Sequence, residues 1–198
     1  MLRDVGLDYR RLAWAKQVHG NSVVRVGERG GPFRDGFDVL VTDQRGVGLA
    51  IFTADCLAIT LVDDTAGALS VAHAGWRGTV RDVPGTAVAA LRELGARPER
   101  LRATIAPSIG PCCYEVDEPV TGELRAAFPN LWERWVTPVR PGHVMLDLWR
   151  ANEDLLERAG VDPARVENAR LCTACRRDVF YSYRKGDRGR LVTVAALR

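Results

Sequence analysis

Three short segments of the sequence each place a metal-binding side chain at or just after the end of an apolar run. They are "KQVHGNS" with His19, "FTADCLAI" with Cys56 and "VAHAGWRGT" with His73. Strand ends are where a rigid scaffold presents reactive groups to a cleft. Two imidazoles and a thiolate suit zinc, and three protein ligands leave the fourth tetrahedral position open for water or substrate. The residue types therefore predict an open, catalytic metal site.

The spacing of these residues is less specific than their types. None of the intervals between them matches a local zinc motif such as H-E-x-x-H. The alternative interpretation is that His19 and His73 are hydrogen-bonded core histidines and that Cys56 is buried as a small hydrophobic residue. Spacing alone does not decide between the two interpretations.

The other four cysteines form two pairs, Cys112–Cys113 in "IGPCCYEV" and Cys172/Cys175 in "LCTAC". Five cysteines are an odd number, and no export signal is recognised, so free thiols are favoured over a disulfide framework. The C-x-x-C segment resembles half of a structural zinc site, but no second C-x-x-C completes it. We expect the adjacent pair not to supply two convergent ligands, and all four cysteines to be packing residues.

Composition excludes several classes of function. The chain has 198 residues, of which 46% are hydrophobic and 27% charged, as in a soluble globular domain. Basic residues are scattered among acidic ones, which disfavours nucleic-acid binding. The longest apolar stretch, Val47–Val62, is interrupted by Asp55 and is too short for a membrane helix. We expect a cytoplasmic protein with no membrane or nucleic-acid partner, and favour a monomer.

Hydrophobic periodicity predicts many short strands before the first long helix, an order typical of an α+β fold with mixed sheets. Pro84 falls early in the first helical pattern and predicts a separate or kinked first turn. The predicted strands are Leu12–Val18, Ser22–Val26, Val39–Thr42, Gly48–Thr53, Ile59–Asp63, Leu69–Ala72, Leu101–Ala106, Val166–Leu171, Phe180–Tyr183 and Leu191–Ala195. The predicted helices are Thr79–Leu94, Glu118–Phe128 and Leu146–Arg158.

Seven segments together carry a family resemblance: "QVHG", "TADC", "AHAGWRG", "IGPCCYEV", "DLWRAN", "LCTAC" and "FYSYR". Their order and approximate distances resemble the YfiH family, also called laccase-domain proteins or peptidoglycan editing factors. The resemblance runs from about Trp14 to Leu197. It implies mixed β-sheets sandwiched between helices in α/β/β/α layers, similar to the catalytic domain of cytotoxic necrotising factor. It also implies one domain over residues 1–198, which we expect to lack the family's usual N-terminal segment.

The resemblance further implies that His19, Cys56 and His73 bind zinc and are catalytic. Zinc is favoured over copper, because the copper sites of a multicopper oxidase need about ten histidines and this chain has three. The implied activity is a purine nucleoside phosphorylase, which converts adenosine, inosine, guanosine or methylthioadenosine and phosphate to free base and sugar phosphate. Adenosine deaminase activity is implied as well. Asp55 is a candidate partner of the ligands or proton donor.

Several residues beside these motifs are candidate substrate contacts. We expect Arg77 to hold phosphate, with a structural salt bridge as the alternative, and Trp76 to form a wall of the purine pocket or a piece of core. Thr79 is a candidate cap of the following helix, and Asp147 of the last one. Tyr183 and Arg184 could line the nucleoside pocket, although cross-strand packing of the tyrosines is the alternative. The full set of candidate contacts is Lys16, Gln17, Trp76, Arg77, Tyr183 and Arg184.

The sequence is also compatible with two other functions. One is an amide hydrolase that edits peptidoglycan precursors, with a zinc-activated water or the Cys56 thiolate as nucleophile. The other is a non-catalytic module that binds metal without turnover. Replacement of Cys56 distinguishes the enzymes from the module. Either enzyme would lose its activity, whereas every activity measured on a non-catalytic module would stay unchanged.

Overall fold

The computed structural model of the chain describes residues 7–198. The predicted domain of residues 1–198 includes residues 1–6, which lie outside the described range. Within that range no helix combines the length and the apolar character needed to cross a membrane.

The described chain alternates short strands with a few helices. Its strands are β1 (Leu12–Lys16), β2 (Val23–Arg25), β3 (Gly31–Gly36), β4 (Val39–Thr42), β5 (Gly48–Thr53), β6 (Leu57–Asp63), β7 (Ala68–Ala74), β8 (Arg102–Ile105), β9 (Glu115–Asp117), β10 (Val136–Arg140), β11 (His143–Leu146), β12 (Val166–Asn168) and β13 (Leu191–Ala196). Its α-helices are α1 (Trp76–Val80), α2 (Val83–Glu93), α3 (Glu118–Ala127) and α4 (Leu148–Arg158). Short 3-10 helices span Tyr9–Arg11, Pro98–Arg100, Trp132–Trp135, Pro163–Arg165 and Tyr183–Lys185.

A six-stranded mixed sheet in the order β12-β8-β6-β7-β4-β2 forms the centre of the fold. Its middle strands are antiparallel, and β2 and β12 add to its edges in parallel. Every residue of β7 is buried, because both faces of the sheet are covered. The uninterrupted run "ALSVAHA" is the sequence pattern of a strand buried on both sides.

The two faces of this sheet carry two separate hydrophobic clusters. On one face Ile59 and Ala72 pack with Leu91 of α2 and Leu155 of α4. On the other face the large sheet packs against a four-stranded sheet in the order β13-β5-β1-β3, whose β1 is parallel to both β3 and β5. Mixed sheets packed with helices give the expected α+β class.

A small antiparallel sheet, β10-β11-β9, lies outside the sequence-based predictions, as does β3. Residues of β10 and β3 are mostly exposed or half-buried, so they lack the clean alternation that marks a strand with one buried face. Backbone pairing, rather than burial of an apolar face, defines these strands.

The first helical pattern divides into two helices, as Pro84 predicts. α1 ends at Val80, and Asp82 begins α2 by accepting a hydrogen bond from the Gly85 amide. The expectation that Thr79 caps the helix is wrong, because α1 begins earlier, after Gly75, and Thr79 lies buried inside it. Asp147 does cap α4, by accepting a hydrogen bond from the Arg150 amide.

The predicted strand Phe180–Tyr183 is wrong. The segment is irregular and leads into the 3-10 helix Tyr183–Lys185, with Ser182 buried and the flanking tyrosines 49% and 72% exposed. The alternation of aromatic and polar residues therefore does not mark cross-strand packing. Hydrogen bonds to a buried carboxylate, described below, hold this segment in place.

Candidate metal centre and cleft

His19, Cys56 and His73 come together at one end of the two large sheets. His19 follows β1, Cys56 immediately precedes β6, and His73 lies in β7, where its neighbour across the ladder is Ala58. One ligand atom from each of the three residues lies within 4.8 Å of the others. The two imidazole rings meet edge to face with their centroids 4.8 Å apart. We call these three residues the metal triad.

Asp38 holds the metal triad in shape. Its carboxylate oxygen Oδ1 lies 2.7 Å from Nδ1 of His73, and its two oxygens accept backbone N–H bonds from Val18, His19 and Gly20. One buried carboxylate therefore orients the His73 ring and the loop that carries His19. Sequence reasoning missed Asp38; the signal was a carboxylate directly before the apolar strand "VLVT".

The charges of the triad favour a cation. Burial opposes the ionised thiol of Cys56, but hydrogen bonds from His19 and His73 outweigh it and lower its pKa to about 7. Burial also opposes protonation of His73, but contacts with Asp38 and Cys56 raise its pKa to about 9. The Cys56 thiolate and the imidazoles of His19 and His73 form a donor set suited to a divalent metal ion, with the Asp38 carboxylate behind the His73 ring.

Backbone geometry also fits a metal at this position. A Cβ on Gly75 would lie 2.7 Å from Sγ of Cys56 and 3.5 Å from Cδ2 of His19, so only glycine leaves the thiolate accessible. His19 and Asp55 both adopt left-handed backbone angles, with φ of 58° and 85°. Such conformations cost about 1–3 kcal/mol each and cluster at functional sites. The triad is able to hold a metal ion.

Two adjoining cavities meet at the triad. One has a volume of about 600 Å³ and includes Gln17 and His73 in its wall. The other has a volume of about 420 Å³ and includes Trp76, Tyr114 and Arg184. Five residues border both cavities: His19, Ala54, Cys56, Arg77 and Tyr183.

Arg77 and Trp76 form one side of the cleft. The Arg77 guanidinium lies 4.2 Å from the Trp76 ring centroid and, within residues 7–198, makes no ion pair with a carboxylate. The alternative role of Arg77 in a structural salt bridge is therefore not seen in the described chain. Trp76 borders the cleft and also packs against the hydrophobic core, so its position is compatible with both interpretations.

The structure places three of the other four candidate substrate contacts at the cleft and one away from it. Gln17 borders the cleft, but its side-chain amide both donates to and accepts from the Phe52 backbone. Lys16 is exposed and borders neither cavity. Tyr183 and Arg184 both border the cleft, which brings the C-terminal motif to the triad.

Asp55 turns away from the triad toward the C-terminal segment. Its carboxylate accepts hydrogen bonds from the Thr173 hydroxyl at 2.7 Å, the Ser182 hydroxyl at 3.1 Å and the Arg184 backbone amide at 2.6 Å. With both oxygens engaged, this buried side chain connects segments more than a hundred residues apart in the chain.

Tyr114 is a further cleft residue that sequence reasoning missed, although it lies in the motif "IGPCCYEV". Burial and the nearby Cys56 raise the pKa of Tyr114 to about 12, so its hydroxyl stays protonated at neutral pH. The Arg184 guanidinium lies 5.0 Å from the Tyr114 ring centroid. Tyr114 can therefore offer both an aromatic face and a hydrogen-bond donor to a ligand.

A second group of thiols contradicts an expectation from the sequence. Sγ atoms of Cys112 and Cys113 each lie 3.5 Å from Sγ of Cys175, and the four sulfurs of this group, which includes Cys172, are within 4.8 Å of one another. The expectation that adjacent cysteines do not converge is wrong, because they lie in a turn rather than a strand. Successive side chains alternate faces only in extended backbone.

Comparison with known proteins places the chain among enzymes. Residues 1–198 match the family model described as multi-copper polyphenol oxidoreductase laccase. A purine nucleoside phosphorylase of Deinococcus radiodurans is 45% identical over 192 residues, which cover 96% of this chain and 70% of the relative. Adenosine deaminase RL5, from an unknown prokaryotic organism, is 34% identical over 91% of this chain and 72% of its own. The crystal structure of Bacillus licheniformis YfiH superimposes with a TM-score of 0.92 at 28% identity, covering 100% of this chain and 78% of that one.

Proposed function

We propose that this chain, which belongs to the multi-copper polyphenol oxidoreductase laccase family, is a zinc-dependent purine nucleoside phosphorylase that also deaminates adenosine. Proteins similar to it are named purine nucleoside phosphorylase and adenosine deaminase. The family description names copper. With three histidines in the chain, the ligands of a multicopper centre are not present. The soft thiolate and two imidazoles of the metal triad suit zinc.

The observation that carries the proposal is the position of the metal triad at the junction of two cavities. His19 and Cys56 border both cavities, so a nucleoside in one and phosphate in the other would both reach the same point. A bound zinc ion would supply Lewis-acid chemistry to an oxygen of phosphate or water there. Asp38 would keep His73 and the His19 loop in the geometry that binds the ion.

Arg77 is the proposed phosphate-binding residue. Its guanidinium borders both cavities and has no acidic partner among the described residues, so its charge is available to an anion. The planar guanidinium can donate two parallel hydrogen bonds to a phosphate. Stacking on Trp76 fixes its orientation without using those donors.

Trp76 and Tyr114 are the proposed walls of the purine site. Both border the smaller cavity, where flat aromatic faces would pack against a base. The protonated Tyr114 hydroxyl can donate a hydrogen bond to the departing base, and Tyr183 closes the cleft from the C-terminal side. Asp55 acts as a positioning residue, because its oxygens are engaged by Thr173, Ser182 and Arg184.

Incubation of the purified, metal-analysed protein with adenosine, with and without phosphate, tests the proposal. Separation of the products should show adenine that depends on phosphate and inosine that does not. Cys56→Ala should abolish both products, because it removes the thiolate ligand. Arg77→Ala should abolish phosphorolysis more strongly than deamination, and Arg92→Ala, on the exposed side of α2, should leave both unchanged.

Absence of both products from metal-loaded protein would contradict the proposal. Equal activity of Cys56→Ala and the parent chain would show that the triad does not catalyse the reaction. Release of serine from a peptidoglycan precursor, with no turnover of nucleosides, would support the amide hydrolase instead.

A further inference from the structure

We propose that Cys112, Cys113, Cys172 and Cys175 form a second metal site, which holds one structural zinc ion in a cage of four thiolates. This site shares no residue with the metal triad. It does not depend on the proposed enzymatic activity.

The distances between the sulfurs fit a single tetrahedral ion. With zinc–sulfur bonds of about 2.3 Å, the sulfurs of a tetrahedral site lie about 3.8 Å apart. The four sulfurs here lie within 4.8 Å of one another, and two of their separations are 3.5 Å. All four cysteines are free thiols, so each can supply one ligand.

Two backbone turns bring the sulfurs together. The Cys113 amide donates to the Gly110 carbonyl, and the amides of Cys175 and Arg176 donate to the Cys172 carbonyl. The first turn places adjacent cysteines on one side, and the second closes the C-x-x-C segment. The two segments pair directly, because Ser108 and Cys172 form a β-bridge.

The most buried of the four thiols already accepts a hydrogen bond from a backbone amide. The Gly110 amide donates a hydrogen bond to Sγ of Cys172 at 3.3 Å. Such N–H donors compensate the negative charge that thiolate ligands place on a metal site. Four soft ligands favour zinc over calcium or magnesium, and a complete set of four leaves no position for substrate, which is the arrangement of a structural site.

The position of this site gives it a role beside the cleft. Tyr114, a wall of the cleft, directly follows Cys113, and Thr173, which donates to Asp55, directly follows Cys172. An ion bound to all four cysteines would fasten these two segments, which are about sixty residues apart in the chain. It would therefore hold one cleft wall and the partner of Asp55 together.

Zinc content measured on anaerobically purified variants of the full chain tests the proposal. We expect two zinc ions per chain in the parent protein, one in His19→Ala, one in Cys175→Ser and none in the double variant. Cobalt bound to His19→Ala should show the intense sulfur-to-cobalt charge-transfer absorption of a four-thiolate tetrahedral site. Cobalt bound to Cys175→Ser should show the weaker sulfur absorption of a site with one thiolate.

Cys175 is exposed, so the serine variant is expected to fold. If it does not fold, titration of His19→Ala with an organomercurial thiol reagent replaces it, and one zinc ion should be released as the four clustered thiols react. One zinc ion in the parent chain with none left in His19→Ala would overturn the proposal. A disulfide among the four cysteines in the anaerobic protein, or iron in place of zinc, would also overturn it. Because the readout is metal content, loss of phosphorolysis alone does not affect it.

Discussion

At the scale of single residues, Asp38 supports two of the three members of the metal triad with one carboxylate. Its buried carboxylate contacts His73 and three successive amides around His19. A carboxylate behind a histidine fixes the ring and makes its other nitrogen a better ligand. Both effects come from a residue that binds no metal itself.

Asp38→Asn should weaken zinc binding at the triad by about 10- to 100-fold, because the amide keeps the shape of the carboxylate but not its charge. Competition with a chromogenic chelator measures this affinity. Asp35→Asn, an exposed change three residues earlier, is the matched control and should bind zinc like the parent chain. Equal affinities of the two variants would show that Asp38 does not support the ligands.

Gly75→Ala should reduce zinc occupancy of the triad and abolish turnover, because the new methyl group would overlap the Cys56 sulfur. Metal analysis after dialysis at a fixed free zinc concentration gives the occupancy. Gly27→Ala is the control, since nothing lies within 4 Å of the position of its Cβ. Full occupancy in Gly75→Ala would mean that the thiolate reaches the metal from another side.

At the scale of elements, β6 and β7 position two of the three ligands. Their antiparallel ladder pairs Leu57 with Ala74 and Ala58 with His73, so Cys56 stands beside His73 at the end of the ladder. At its other end β6 terminates in Asp63, a buried carboxylate that accepts N–H bonds from Thr65, Ala66 and Arg97. The bonds from Thr65 and Ala66 close the turn between the two strands, and the bond from Arg97 ties this turn to the segment after α2.

Asp63→Asn should lower the free energy of unfolding at pH 7 by about 2 kcal/mol, since hydrogen bonds to a charged group are lost. Burial raises the pKa of Asp63, but the three N–H donors outweigh it and lower the pKa below 3.8. The charge therefore stabilises the fold above about pH 4, and the difference between variant and parent should shrink as pH falls through the native pKa.

Urea unfolding at pH 7 and at pH 3 measures this difference. Asp64→Asn, at the exposed neighbouring position, should change stability little at either pH. A deficit in Asp63→Asn that stays constant with pH would show that the carboxylate charge is not its cause.

At the scale of the whole molecule, the C-terminal segment is attached to the core through Asp55. The carboxylate reaches Thr173, Ser182 and Arg184 across 118 to 129 residues of sequence. The left-handed conformation of Asp55 aims its side chain at this segment while Cys56 faces the triad. The same turn of backbone thus serves the metal centre and the cleft wall.

Asp55→Asn should loosen the C-terminal segment, because an amide cannot accept on both sides as the carboxylate does. Hydrogen exchange of residues 173–184 should become at least about 10-fold faster, and KM for the nucleoside should rise more than kcat falls. Asp178→Asn, exposed in the same segment, should exchange like the parent chain. Unchanged exchange with a lost kcat would indicate proton transfer by Asp55 instead.

The sequence by itself predicted the α+β class, most strands of the two larger sheets, the break at Pro84 and the three residues that the structure brings together as the metal triad. The fold features depend on local periodicity and on the restricted backbone of proline, whereas residue types alone left the triad open to a core-packing interpretation. Motif order then pointed to the family.

Only the tertiary structure decided which distant residues meet. Asp38 stands behind His73 because β4 pairs with β7 in one register, and Cys112 and Cys113 meet Cys175 because two turns face each other. Asp55 reaches the C-terminal segment through a left-handed turn that alternation along a strand does not predict. Contacts of this kind are set by strand register and backbone angles, which local patterns in the sequence do not encode.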